Sequence, residues 1–429
     1  MRKKAHTYNY YKWVALLSFG LFYNTVYIAR FGLNRIIDIL VNKFNWAPGM
    51  ITFVPASILF FYALGSFING FLVDRYPPKK IIIVGSAVSI LSNLIIASSA
   101  NEVLAIILCP LNGFFQSIVW IGGIKIMSLW WKEKERGLCC GILNFCSGLS
   151  HVTAYILPVI AFLVYRDLSW KGSIILPICI MALFLIIFAV TVVERPEQVG
   201  LFPYDATSDL SVEQVSITNN RSVFDLSFVW KRIVVGRKMG YWALIALFSS
   251  VCRYGLLYWI PLYFLGNGSD HIIQDSFSNL ILPLGMAFGT LLITYITGHW
   301  FQRNKGLMIV VSSALCASLI VIIPTFSHNI SIIQGIFFTG FFLYGLNGIL
   351  WIYAIDVGGR SYTGTICGCL NGFAYLGATL QMFFFPYVIA LTGNIIIVFL
   401  IMEILCIAMI ICGMIIIEKN TRTEPMEEE

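Results

Sequence analysis

Two arginines carry the chemistry of this 429-residue chain: Arg30, in Arg30-Phe31-Gly32-Leu33, and Arg253, in Arg253-Tyr254-Gly255-Leu256. Each lies well inside a long apolar segment. At about 1.5 Å per helical residue, both guanidinium groups fall roughly 22 to 27 Å along their helices from Lys12 and Lys238, near the middle of a bilayer. A charge there costs several kcal/mol unless it faces a cavity or a partner, which makes an intramembrane arginine a functional candidate by default. Two at matching positions indicate a duplicated chain with one arginine per half. An arginine is always charged and offers a planar fork of donors suited to a carboxylate or phosphate. The other use, structural arginines held by backbone carbonyls or helix ends, stays open at this stage. Tyr23, Tyr27 and Arg30 stand at i, i+4 and i+7, so two phenols and a guanidinium share one helical face.

The elements that must position these residues are membrane helices. With 59% hydrophobic and 11% charged residues, no water-soluble fold could hide the apolar surface. Apolar runs give twelve spans, roughly 13 to 40, 50 to 73, 80 to 99, 103 to 129, 137 to 165, 171 to 193, 239 to 265, 276 to 300, 306 to 325, 330 to 355, 361 to 390 and 393 to 417. The fold class is therefore all-α, with two pseudo-symmetric six-helix bundles (1–193 and 239–429) joined by a polar linker over 194–238. Within the linker, Ser222 to Val235 has a capping-box pattern and alternates apolar with basic residues, as an interfacial helix or a flexible linker would. Of the 28 Lys and Arg residues, three (Lys43, Arg166, Lys171) fall in one set of alternate loops and four (Arg30, Arg35, Lys125, Arg253) in spans. The positive-inside rule makes the opposite, basic side cytoplasmic and puts both termini there. The basic-then-apolar start lacks a small-residue cleavage site and reads as the first span of a multi-pass cell-membrane protein. Most of the 11 cysteines sit in apolar runs without metal spacing, as small packing residues.

After the second span the chain reads Gly70-Phe-Leu-Val-Asp74-Arg75, followed by Pro77-Pro78-Lys79-Lys80. This resembles the Gly-x-x-x-Asp-Arg loop of the major facilitator superfamily, whose charged residues form a cytoplasmic gate latch. The corresponding loop of the second half has Gly298 where the aspartate would stand, so a degenerate latch is expected there. Further motifs narrow the resemblance: Asn112 to Gln116, Trp120, Trp130-Trp131 to Gly137, Asn144, Trp259, Pro261 and Tyr263, Gly364 to Gly368, and Tyr375-Leu376-Gly377. Together they resemble the organophosphate:phosphate antiporters, the group of glycerol-3-phosphate and hexose-6-phosphate transporters. The resemblance implies exchange of a phosphorylated metabolite for inorganic phosphate. It matches Arg30 and Arg253 to the two phosphate-binding arginines and Tyr23 and Tyr27 to first-helix site residues.

This chain departs from the pattern at Phe31, Tyr258, Ser66 and Ser147, which stand where the family has lysine, aspartate, lysine and histidine. The site is thus less basic than the family's. His151 lies one turn beyond Ser147, so Asn144, Ser147 and His151 share a face and the imidazole is a candidate from a shifted depth, or a packing group. The substrate-binding candidates are Arg30, Arg253, Tyr23, Tyr27, Asn144, His151, Trp120 and Tyr375; those of the gating loop are Gly70, Asp74 and Arg75. Lys125, close to its helix end, is placed to snorkel. Asn347, Asn371 and Gln381 either line the second half's cavity or bond between helices. Glu403, midway along the last span, is a structural or a proton-coupling carboxylate. No hydrolase triad, nucleotide-binding loop or metal cluster is placed to do chemistry, so neither an enzyme nor a cofactor is expected.

The expected function is secondary transport of a small organic anion by a monomer that does not bind nucleic acid. The leading substrate is a phosphorylated metabolite exchanged for phosphate. The alternatives are a hexuronate or other carboxylate, and a transporter-like sugar-phosphate sensor.

Overall fold

The computed structural model describes residues 2–164, 169–202, 239–266, 272–325 and 331–420. The interfacial-helix reading of Ser222 to Val235, most of the linker and the acidic tail Glu427 to Glu429 lie outside them.

Twelve helices are formed by the described residues. They are α1 (Arg2–Phe44), α2 (Met50–Arg75), α3 (Pro78–Ser99), α4 (Glu102–Trp130), α5 (Arg136–Val164) and α6 (Ser169–Thr191), then α7 (Met239–Gly266), α8 (Ile272–Trp300) and α9 (Lys305–Thr325). The run Ser331–Thr392 is broken at Gly359, whose φ of 54° is a left-handed conformation that glycine adopts without strain, so it counts as α10 (331–358) and α11 (360–392). The last helix is α12 (Ile396–Asn420). Nine of the helical runs among the described residues are long and apolar enough to cross a bilayer, with α10 and α11 counted together. The least apolar helix is α1, the one that carries the Tyr23, Tyr27, Arg30 stripe.

The twelve expected spans coincide with these helices, with one correction at the start. Helix α1 begins near Arg2 rather than near residue 13, because its basic, tyrosine-rich first turns dock on the end of α4. Tyr8 Oη donates to the Trp130 carbonyl at 2.7 Å, and the Lys12 ammonium sits 4.4 Å above the Trp131 ring and 2.9 Å from Glu135. The linker's first residues also belong to the fold: Pro196 is buried and Glu197 bonds Arg360 Nη2 at 2.5 Å.

Glycines let the two halves approach along two helix pairs. Between α2 and α11, a Cβ on Gly70 would lie 2.8 Å from the Gly364 carbonyl, and one on Gly368 would lie 2.7 Å from the Gly70 Cα. Between α5 and α8, a Cβ on Gly137 would lie 2.6 Å from the Gly298 Cα, and one on Gly148 would lie 2.6 Å from the Ala287 Cα. Small residues of this kind are what membrane helices use for close backbone packing.

Candidate functional site

The site lies between these two seams. Its cavity is lined by Tyr23 and Tyr27 of α1, Trp120 of α4, Ser147 of α5, Arg253 of α7, Tyr344, Asn347 and Trp351 of α10, and Asn371, Ala374 and Tyr375 of α11. The chain reads Trp120-Ile-Gly-Gly-Ile-Lys125 on α4 and Trp351-Ile-Tyr-Ala-Ile-Asp356 on α10, the same Trp-Ile-x-x-Ile pattern in each half. Five residues beyond each tryptophan stand Lys125 and Asp356, opposite charges at equivalent places in the two halves. The back face of α10 explains its orientation. Gly345 and Gly348 press against Ile293 and Thr294 of α8, which leaves Tyr344, Asn347 and Trp351, at i, i+3 and i+7, on the cavity side.

The two arginines are both buried but differ in access. Arg253 lines the cavity directly, with its guanidinium carbon 4.4 Å from the Tyr254 ring and 5.0 Å from the Tyr344 ring, and its Nε has no hydrogen-bond partner. Arg30 sits one layer back. Its Nε donates to Gln116 Oε1 at 2.5 Å, its Nη1 donates to the Tyr375 hydroxyl at 2.7 Å, and Nη2 has no partner. Its guanidinium carbon stands 4.7 Å from the Tyr27 ring and 4.4 Å from the Tyr62 ring, a geometry in which the aromatic faces attract the cation. The Tyr27 and Tyr375 hydroxyls are 2.9 Å apart, so Tyr375, from the second half, closes over the arginine of the first. None of the ion pairs among the described residues involves Arg30 or Arg253.

Behind Arg30 a neutral polar chain fixes its base. Gln116 Nε2 donates to Ser89 Oγ at 3.1 Å, and Ser89 donates to Asn112 Oδ1 at 2.6 Å. Asn144 Oδ1 accepts from Asn347 Nδ2 at 2.8 Å, and Asn371 Nδ2 donates to Ser66 Oγ at 3.1 Å, so these asparagines tie the halves together while flanking the cavity. Gln381 bonds the Ala378 carbonyl of its own helix at 3.2 Å and does not line the cavity.

The remaining candidates are placed as follows. His151 is buried beside Tyr27, with ring centroids 5.2 Å apart and Nδ1 3.3 Å from the Ser147 carbonyl, and is not among the residues lining the cavity. Glu403 is half-buried on α12, which contributes nothing to the lining. Lys125 corrects the snorkelling expectation. It is 4% exposed, it turns inward to an ion pair with Asp74, and it donates to the Ser361 carbonyl at 3.0 Å, because a carboxylate and a carbonyl are nearer than the helix end.

Asp74 also accepts from the Gly364 amide at 2.9 Å, the Thr365 amide at 2.6 Å and the Thr365 hydroxyl at 2.8 Å, capping the start of α11. Arg75 is exposed and takes part in none of the ion pairs among the described residues. In the second half, Gly298 packs on Gly137, and the charge is supplied instead by Asp356, 2.5 Å from Arg136 and 2.8 Å from Lys305.

The latch seals one end of the site, and a cluster of Leu59, Tyr62, Ala63, Tyr254, Tyr375 and Ala378 closes the side away from it. Tyr62 and Tyr375 stack at 3.9 Å between ring centroids. The remaining cavity is about 10 Å³, room for roughly one water centre. In this conformation the space between these side chains is smaller than an organic ligand.

Sequence reasoning missed Tyr62, Tyr344, Trp351 and Asp356, and quoted Gln116 as part of a motif without giving it a place in the site. The two tyrosines, the glutamine and the tryptophan sit in apolar helices where the same types serve as packing, and Asp356 at a helix end reads as solvated.

The profile of the Major Facilitator Superfamily matches residues 19–382. A probable hexose phosphate transport protein of Chlamydia trachomatis is 21% identical over 390 residues, 86% of this chain and 83% of that protein. The glycerol-3-phosphate transporter of Bacillus subtilis is 21% identical over 337 residues, covering 76% and 74% of the two chains. Among solved structures, the proton:xylose symporter XylE bound to 6-bromo-6-deoxy-D-glucose superposes with a TM-score of 0.70 at 13% identity, covering 94% of this chain and 95% of that one.

Proposed function

Because the chain belongs to the major facilitator superfamily of membrane transporters, we propose that it exchanges a phosphorylated metabolite for inorganic phosphate by alternating access. The observation that carries this reading is the pair of buried arginines, one from each half, that stand in tyrosine cages without a carboxylate. Two fixed positive charges in a water-poor site call for an anion. Guanidinium forks favour one with several oxygens in a plane or a tetrahedron. An empty site leaves the charges uncompensated and makes the unloaded transition costly, which is the physical basis of exchange.

The halves rock about the cavity, with the α2–α11 and α5–α8 seams parting together at the end that carries Asp74 and Asp356. The seam held by Asp74 faces the cytoplasm. Tyr375 is the group that must move, since its hydroxyl occupies the Arg30 edge an anion would take. The names of the two relatives, carriers of hexose phosphate and of glycerol-3-phosphate, support the phosphorylated substrate.

The test is counterflow of labelled phosphate in vesicles containing only this protein. Trans-stimulation by inorganic phosphate and by an organophosphate supports the reading. Indifference to phosphate with uptake of a hexuronate would make it a carboxylate carrier, and ligand binding without counterflow would make it a sensor.

A further inference from the structure

Two indole N–H groups border the cavity and neither has a hydrogen-bond partner: Trp120 Nε1 on α4 and Trp351 Nε1 on α10. Both side chains are 3% exposed, and the rings meet edge to face with centroids 5.4 Å apart. A buried indole donor ordinarily finds an acceptor, and here two are unmatched at equivalent positions of the two halves. Tyr23 extends the aromatic wall, its centroid 4.6 Å from Trp120. The other side chains at this level, Ser147, Asn347 and Asn371, are neutral donors and acceptors, and among the described residues lining the cavity Arg253 alone is charged.

Distance along the helix separates this wall from Arg30. Gln116 touches Arg30, and Trp120 follows one turn later toward the Asp74 latch, about 6 Å away on α4. On α10, Trp351 stands one turn from Asn347 in the same direction. A ligand whose anionic group is held by the guanidinium groups thus places atoms about one helical turn away against the indoles. An aromatic face flanked by N–H donors suits a ring that offers C–H groups on one face and hydroxyl oxygens at its rim. Inorganic phosphate brings no ring face to this wall, and neither does a three-carbon phosphate.

Building on the phosphorylated-substrate reading above, we propose that Trp120 and Trp351 form a second subsite that reads the organic body of the substrate, an uncharged polyhydroxylated ring such as a hexose, and that Trp351 sets the preference for a ring over a short acyclic chain. A site that hydrogen-bonds substrate hydroxyls rejects a ligand lacking them more strongly than an apolar pocket can. The same pair leaves inorganic phosphate, the exchange partner, dependent on the arginines alone.

The experiment is equilibrium binding to the purified full chain, titrated with glucose 6-phosphate, glycerol 3-phosphate and inorganic phosphate. It compares wild type with Trp351→Leu, which keeps apolar bulk, and Trp351→Phe, which keeps the ring and loses the N–H. The expected wild-type order has glucose 6-phosphate at least tenfold tighter than the other two. Trp351→Leu weakens glucose 6-phosphate tenfold or more and inorganic phosphate less than threefold, and Trp351→Phe falls between. Equal losses for all three ligands, or an unchanged preference in both variants, overturns the subsite while leaving the arginine reading intact. Failure of wild type to bind any of the three overturns the phosphorylated-substrate reading itself, and the subsite with it.

Discussion

Removing the charge of Asp74 is expected to open the end of the molecule it holds shut. In the closed arrangement its carboxylate side chain is 2% exposed and the partner Lys125 side chain 5% exposed. Asp74→Asn keeps a hydrogen-bonding group for the Gly364 and Thr365 amides but leaves the Lys125 ammonium with the Ser361 carbonyl at 3.0 Å as its remaining partner. Breaking a buried pair by removing one charge costs about 3 to 5 kcal/mol. The retained amide contacts favour the lower figure, and about 3 kcal/mol is roughly a hundredfold shift away from the closed state. In an opened state Lys125 reaches water, so the cost falls on closure and not on folding. Cys367, fully buried two residues past Thr365, reports it. Its alkylation rate by a membrane-permeant maleimide, resolved by mass spectrometry, should rise at least tenfold in Asp74→Asn. In Asp74→Asn with Lys125→Met, which leaves no buried unpaired charge, the rate should fall most of the way back. An alkylation rate equal to wild type in the single variant, or a double variant as labile as the single, would refute the reasoning.

Three further outcomes follow from the geometry. Gly298→Asp, which restores the aspartate of the first-half pattern, should not strengthen the second seam. A Cβ at position 298 meets the Gly137 Cα at 2.3 Å, so the variant should raise alkylation of buried Cys140 while remaining folded by circular dichroism. Gly289→Val should instead lower the folded yield, with a loss above about 2 kcal/mol, because its Cβ meets the Phe341 carbonyl at 2.0 Å inside the α8–α10 pair, where no seam can part to relieve it; thermal unfolding in detergent checks this. Tyr375→Phe removes the hydroxyl that occupies Arg30 Nη1 at 2.7 Å, so phosphate should bind about tenfold more tightly or better, since a hydrogen bond to a charged group contributes about 1.5 to 3 kcal/mol to the empty state it competes with. Weaker phosphate binding in that variant would make Tyr375 a ligand for the anion and not a competitor.

The sequence made some of this legible because charge in an apolar run is conspicuous. Arg30 and Arg253 could be singled out from residue type and depth alone, Asp74 from the resemblance of its loop to a known motif, and the twelve helices from hydropathy. What stayed hidden depends on which face a helix turns inward. Trp351 and Tyr344 have the same types as the packing residues Trp130 and Tyr353, and the glycines of α10 that turn them to the cavity have meaning only once α8 is seen against them. Gly298 reads as a lost aspartate until Gly137 is found against it. Lys125 reads as a snorkelling side chain until its partner from α2 is known, a contact across 51 residues of sequence. The early start of α1 was illegible for a related reason: its first turns are polar, and what holds them is the Trp130-Trp131 pair on another helix.

The central claim is that two guanidinium forks, one from each half, hold the anion together. Its most direct test is counterflow of labelled phosphate in vesicles reconstituted with wild type, Arg30→Lys and Arg253→Lys at equal protein density. Lysine keeps the positive charge but not the bidentate donor geometry, so the account predicts at least a hundredfold loss of exchange in each variant. Exchange near the wild-type rate in either lysine variant would contradict it, and would reduce that arginine to a structural charge.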